Sequence, residues 1–467
     1  MNNKKTIMLC LENMGIGGVE TYVINQAISL KKKGYDVIVT ANKGIYVSKL
    51  EENGIIFFDF EFTNKNYFDY EKINILIDII KRNNVDQVHI NQFSLMTDLL
   101  PACFFTNTPY ITYLHTSFSM ILNNELNVYN WFEKNYPIYK ELFNLLFYCS
   151  SKIIAITKSI ADYTVERYGI KKEKVIIIPN SISLDKYKCE SNNSGKIENI
   201  LIIGRLRDEK MNSIFAGIDL FKKIYDKFDG KLHLNIVGDG PDRSKVEEYI
   251  KNIGVCKNSI SLLGAVTDVP KIIRENDVVI GVDRCILEAI ASKKLVIISG
   301  YDGKIKGMID SKNLFKAQYE NFSGTNLNEI DLNELIDRIY SLNAEQINNI
   351  VEYNYNFAKK NLDINKNVYI QENNNFTYEE DLFEIIKSLI LIDNNLGKIN
   401  ESNMKNAEKI WKEHVDYKEW VESEMHYLRE NYQLIKKKEE EKNKELVSIY
   451  GSKSYKFIKW IKSIFKR

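Results

Sequence analysis

Asn-Ile-Leu-Ile-Ile-Gly-Arg-Leu-Arg-Asp-Glu-Lys (199–210) opens the stretch that decides the fold. Leu-Asn-Ile-Val-Gly-Asp-Gly-Pro (234–241) continues it and Cys-Ile-Leu-Glu-Ala-Ile-Ala (285–291) closes it. Two apolar, β-rich runs stop abruptly at Gly204 and Gly238. Polar or charged residues follow each stop, and a helical pattern comes next. Parallel strands end this way at the ligand crevice of a doubly wound α/β sheet. Arg205 and Lys210 fall just past a strand end, where two cations suit a diphosphate. Read singly, each is more simply a solvated loop residue.

The ordered set is more specific than its parts. Gly-Arg-Leu-x-x-Glu-Lys, Val-Gly-Asp-Gly-Pro, Leu-Leu-Gly and Leu-Glu-Ala-Ile-Ala occur in one order. That order resembles the C-terminal half of the family 4 glycosyltransferases, and the resemblance spans roughly residues 5–360. It implies an α/β protein of the GT-B fold, with two Rossmann-like domains facing across a cleft and a C-terminal helical extension. It also implies a retaining, nucleotide-sugar-dependent enzyme. The expected division is 1–185 for the acceptor-side domain and 196–395 for the donor-binding domain with its closing helices. A helical or coiled-coil segment at 403–448 and a basic amphipathic tail at 452–467 follow.

Bulk properties agree with a globular chain. The protein has 467 residues, 44% hydrophobic and 27% charged, enough for two α/β domains plus extras. A net charge of +1 gives no global argument for nucleic-acid binding. Six scattered cysteines form no Cys-x-x-Cys pair, and five histidines are too few to suggest a metal cluster. Reduced core thiols in a cytoplasm are the simplest account. Lys4 and Lys5 before Thr6–Leu11 mimic the start of a signal peptide, but the apolar run is short and enters a glycine turn.

From the N-terminus, a strand at 5–11 leads into Glu12–Thr21, and a helical pattern runs on to Gly34. Strand, glycine loop and helix make a phosphate cradle, because backbone amides at Gly17 and Gly18 can approach an anion with no Cβ in the way. From these residues alone a tight connection is the simpler reading. The resemblance places Gly17 and Gly18 at the donor diphosphate and acceptor. His115 ends the expected strand Tyr110–Leu114, as a satisfied buried histidine or as a ligand group. The resemblance sets it beside the transferred sugar, as a hydrogen-bonding group and not a general base. Residues 118–150, rich in aromatics, suggest a helical insertion whose aromatic face is core or an acceptor- or membrane-facing surface.

Second-domain strands are expected at 199–203, 232–237, 260–263, 277–280 and 295–298. Gly238, Asp239 and Gly240 form a turn that can hold a nucleobase or phosphate, with Pro241 in the first turn of the next helix. The resemblance gives Glu288 the ribose hydroxyls. The family's Glu-x7-Glu pattern lacks its first member here, since the ungapped position is Ile280. Asp283 or Arg284 are the substitutes at hand. The departure keeps open a weakened protein acting as a membrane-targeted scaffold. A sugar-nucleotide epimerase or hydrolase is a further alternative.

Val421, Met425, Leu428, Tyr432 and Ile435 follow a 4-3-4-3 spacing, as in a short coiled coil or a helix packed on the body. The 403–446 segment could thus join a second copy or a partner protein. Ser452–Arg467 carries six cations, no acid and an apolar helical face with Trp460 at its edge. That pattern reads as an interfacial anchor, worth up to roughly 6 kcal/mol on an anionic leaflet, or as a solvated tail or docking helix. The expectation is therefore a peripheral enzyme at the inner face of the plasma membrane. Its partners would be a nucleotide-sugar, most simply UDP-linked, and a lipid-linked or cell-surface glycan. No metal or other cofactor is expected.

Overall fold

The computed structural model describes residues 4–62, 69–115, 147, 149–187, 196–228 and 232–370. The expectations for 118–146, 403–448 and 452–467 lie outside these residues. Among the described residues, thirteen strands form two sheets. The first contains β1 (Thr6–Asn13), β2 (Asp36–Asn42), β3 (Ile56–Asp59), β4 (Val85–Ile90), β5 (Tyr110–Leu114), β6 (Lys152–Ala155) and β7 (Val175–Ile177). The second contains β8 (Asn199–Ile203), β9 (His233–Val237), β10 (Ile260–Gly264), β11 (Val278–Gly281), β12 (Leu295–Ser299) and β13 (Ile305–Met308).

The orders are β3-β2-β1-β4-β5-β6-β7 and β10-β9-β8-β11-β12-β13. All pairings are parallel except β12 with β13. Each sheet reverses its strand order once, between β1 and β4 and between β8 and β11. The crevice outside those carboxyl ends is where such sheets hold ligands.

Both faces of each sheet are covered, which explains why the strands read as unbroken apolar runs. Met8 and Cys10 point into one core cluster, and Ile7, Leu9 and Leu11 into the other. In the second sheet Ile200 and Ile202 face one layer while Leu201 faces the opposite one. The helices carry matching stripes. Tyr70–Arg82 buries Ile73, Leu76, Ile79 and Ile80, and the Asp69 carboxylate caps it by accepting from the amides of Glu71 and Lys72. Ala344–Asn361 starts with a reciprocal capping box between Asn343 and Gln346.

Three features differ from the sequence reading. β13 follows a turn in which the Gly300 amide donates to the Lys304 carbonyl at 2.8 Å, and its four residues are all buried. Ile-Lys-Gly-Met has no strand-like pattern of its own; pairing with β12 creates the strand. Pro241 precedes the cap residue Asp242 of helix Arg243–Asn252 and so lies outside the helix. The chain also crosses between domains twice. After helix Ala344–Asn361 it returns to the first domain, where the Ile364 amide donates to the Ile182 carbonyl at 3.0 Å and the Ile182 amide to the Leu362 carbonyl at 2.8 Å. Ile364 is then buried in the same core as Ile7 and Leu9. By packing, residues 364–370 belong with the first domain.

Candidate active site between the two sheets

Gly17 caps helix Gly18–Lys32 at the end of β1. The Glu20 side chain folds back over this turn, so a Cβ on Gly17 would lie 2.1 Å from a Glu20 carboxylate oxygen. Burial raises the Glu20 carboxyl above its usual range; a backbone hydrogen bond and Arg205 in the opposite domain pull it down, and Glu12 pushes it up. The expected anion cradle therefore holds the protein's own carboxylate, and Arg205 acts on it across the cleft.

His115 follows β5. Its Nε2 lies 2.9 Å from Asn91 Oδ1, just past β4. The ring stacks on Tyr113 with centroids 5.9 Å apart and meets Tyr22 edge-on at 4.8 Å. Burial, then the positive charge of Arg284, lowers its pKa to about 3. His115 is thus neutral at physiological pH and too weakly basic to serve as a general base.

In the second domain the loops after β8 and β9 are joined backbone to backbone. The Gly204 amide donates to the Val237 carbonyl, Leu206 to Asp239, and Asp242 to Leu206, each at 3.0 Å. Gly238 has φ +149 and Gly240 φ +157. A Cβ on the first would sit 1.8 Å from the Gly204 carbonyl oxygen, and on the second 2.2 Å from that of Leu206. Neither position tolerates a side chain. Asp239 turns onto its own loop, accepting from the Gly240 amide at 2.8 Å. Arg205 is exposed at the cleft. Lys210 bridges to Asp283 at 3.3 Å, and the Tyr301 hydroxyl donates to the same carboxylate. Asp283 itself is held at φ +59.

Glu288 is buried and accepts from Arg284 Nε at 3.0 Å. Arg284 Nη2 is buried and has no hydrogen-bond partner among the described residues. Burial, then the Glu288 carboxylate, raises the phenol of Tyr187. Arg284 acts on Tyr22, Tyr46 and Lys186 as well as His115, which places it opposite the first domain's strand ends.

Ile280 is fully buried within β11. The ungapped count for the missing glutamate thus lands in the strand core, and only Val282 and Asp283 connect β11 to helix Arg284–Ala291. All the candidate residues, Gly17, Gly18, His115, Arg205, Lys210, Gly238, Asp239, Gly240 and Glu288, lie at carboxyl ends of strands or on the helices that follow. The sequence reading missed Asn91, Glu20 and Tyr22. For Asn91 the available signal was a polar residue directly after the apolar end of β4.

Two Rossmann-like sheets, with polar residues at both sets of carboxyl ends and cations at the second, define a GT-B protein. A model of Glycosyltransferase Family 4 matches residues 16–186, and one of Glycosyl transferases group 1 matches 197–339. The chain belongs to the family 4 glycosyltransferases. It is 24% identical over 255 residues to the UDP-Gal:alpha-D-GlcNAc-diphosphoundecaprenol alpha-1,3-galactosyltransferase of Escherichia coli, covering 50% of this chain and 63% of that protein. It is 24% identical over 273 residues to the O-antigen biosynthesis glycosyltransferase WbnH of Escherichia coli, covering 56% and 70%. Among solved structures, Anabaena HepE in complex with UDP and glucose superposes with a TM-score of 0.57 at 16% identity, covering 78% of this chain and 96% of that one. A glycosyltransferase from Rickettsia africae superposes at 0.55 and 18%, covering 83% and 99%. These two likenesses concern the fold.

Proposed function

We propose that this protein moves a sugar from a nucleotide diphosphate-sugar, a UDP-sugar in the first instance, to a lipid-linked or cell-surface glycan, with retention and without a metal. The observation that carries the reading is the pair of cations after β8, Arg205 exposed and Lys210 paired with Asp283 beside the Tyr301 ring, at the switch point of the donor-side sheet. The names of the Escherichia coli relatives support the acceptor class, and the HepE complex supports UDP.

In this reading the sugar's C1–O bond to the diphosphate breaks while the acceptor oxygen bonds C1 on the same face. The acceptor's hydroxyl proton passes to the leaving phosphate, so no protein base is needed. Arg205 and Lys210 stabilise the charge that develops on the diphosphate. Lys210 must leave Asp283 to do so. The amides of Gly17 and Gly18 and the Gly238–Asp239–Gly240 turn line the donor, Glu288 takes the ribose hydroxyls, and His115 bonds the sugar.

Calorimetric titration with UDP, GDP, ADP and dTDP tests this. One nucleotide should bind, and Arg205→Ala with Lys210→Ala should weaken it roughly a hundredfold or more, at about 1.5–3 kcal/mol for each charged hydrogen bond. A folded protein that binds none of the four would sink the reading and favour the scaffold.

No described helix is long and apolar enough to cross a membrane. We place the enzyme at the inner face of the plasma membrane through 452–467, on the charge pattern of that segment. Deleting 452–467 should abolish co-sedimentation with anionic liposomes; unchanged co-sedimentation refutes the anchor.

A further inference from the structure

Asn91 sits where the first sheet reverses its order, and its side-chain amide links three neighbouring strands. Nδ2 faces the Cys10 carbonyl within β1 at 3.2 Å and the His89 carbonyl near the end of β4 at 3.4 Å. Oδ1 faces His115 Nε2 at 2.9 Å, just past β5. We propose that Asn91 is a positioning residue that fixes the tautomer of His115, so that Nδ1 meets the donor sugar as a hydrogen-bond acceptor and the sugar must present a hydroxyl there. This rests on the glycosyltransferase reading above.

The amide's orientation follows from its neighbours. Both backbone carbonyls are acceptors only, so the side of the amide that faces them must be the NH2 group. Turning it over would set Oδ1 against two carbonyl oxygens, in a residue only 2% exposed. With the amide fixed, Oδ1 can only accept, so His115 Nε2 must carry the proton. Because burial and Arg284 keep the ring singly protonated, Nδ1 retains its lone pair. The stacking on Tyr113 and the edge contact with Tyr22 hold the ring plane, leaving the tautomer to Asn91. A lone pair accepts from a hydroxyl and repels a carboxylate, which has no proton to donate at neutral pH.

A histidine network beneath His115 repeats the arrangement. His89 Nε2 lies 3.0 Å from Gln87 Oε1, and its Nδ1 lies 3.3 Å from Gln26 Nε2. With the two amides set this way, His89 carries its proton on Nε2, the same tautomer as His115.

The test uses the full-length protein labelled with 15N-histidine, in which only five histidines contribute, with His115→Gln for assignment. Long-range proton–nitrogen correlation should show His115 protonated at Nε2 and bare at Nδ1. A ring protonated at Nδ1, or one exchanging between the two forms, overturns the inference. In parallel, UDP, UDP-glucose and UDP-galactose are titrated into wild type and Asn91→Leu. The better-bound sugar nucleotide should lose about three- to tenfold in affinity relative to UDP, with UDP itself unchanged. Equal losses for UDP and its sugars would mean that Asn91 merely supports the fold, and would also overturn it. If Asn91→Leu does not fold, the wild-type spectrum still decides. If no UDP-sugar binds at all, the proposed function fails while the spectrum judges the tautomer separately.

Discussion

Glu20 and an incoming diphosphate compete for one turn. The carboxylate lies over Gly17 at the start of helix Gly18–Lys32, and Arg205 acts on it from across the cleft. A ligand must displace it or meet its charge. The carboxyl titrates above its ordinary value because burial outweighs its stabilising partners. UDP-glucose should therefore bind more tightly as pH falls through that raised value, since protonation removes the competing charge. Glu20→Gln should bind several-fold more tightly at neutral pH and show a flatter pH profile. Calorimetry from pH 5 to 8 reads both, and a variant that binds no better, with an unchanged slope, refutes the competition. The same residue marks a limit of sequence reading. Gly17 and Gly18 were legible as a cradle, but a carboxylate three residues away gives no sign that it will fold back into it. Asn91 was hidden for a related reason: its partners are the Cys10 carbonyl, 81 positions away, and a histidine 24 positions on.

At the scale of elements, the abrupt apolar stops made the strands readable. Tyr110–Leu114 and Asn199–Ile203 agree with the sequence expectation, because strands buried on both faces need unbroken apolar runs. β13 was unreadable for the opposite reason. Lys306 survives there by reaching Asp302 at 2.6 Å, so one lysine stem is buried while its charge is met. The loops after β8 and β9 depend on each other. Gly238→Ala would drive a Cβ into the Gly204 carbonyl at a backbone angle side chains avoid. It should lower stability by about 1–3 kcal/mol and displace the Arg205 loop, weakening nucleotide binding at least tenfold. Thermal melting and titration check this; a variant with wild-type affinity would show that the two loops move independently.

The whole molecule is held by more than one linker. Besides the two crossings, Asn180 Nδ2 donates to Asn321 Oδ1 at 3.1 Å and the Ser159 hydroxyl donates to Glu320, joining the domains along the cleft. Asn321 and Phe322 take positive φ, and the Phe322 carbonyl accepts from the Asp283 amide at 3.1 Å. One turn therefore touches the first domain and the loop that holds Lys210. The return segment makes a separate prediction. A chain ending at Ile370 keeps Ile364 in the first core and the Ser29–Asn365 hydrogen bond, whereas a chain ending at Asn361 loses both. The shorter truncation should melt lower, by about 2–5 kcal/mol for the loss of a buried isoleucine with its neighbours. Equal melting of the two truncations would show that the return segment adds nothing.

That return also sets an order of events on the ribosome. The first sheet is complete in sequence by Ile177, but part of its core arrives only with Ile364. At synthesis rates of about 5–20 residues per second, the delay between them is roughly 10–40 s. During that interval the nascent first domain carries an unfilled apolar seat against helix Gly18–Lys32, while the second domain is still being made. The earlier domain is thus finished by the later one, and a stalled or prematurely released chain would leave that seat open to chaperones.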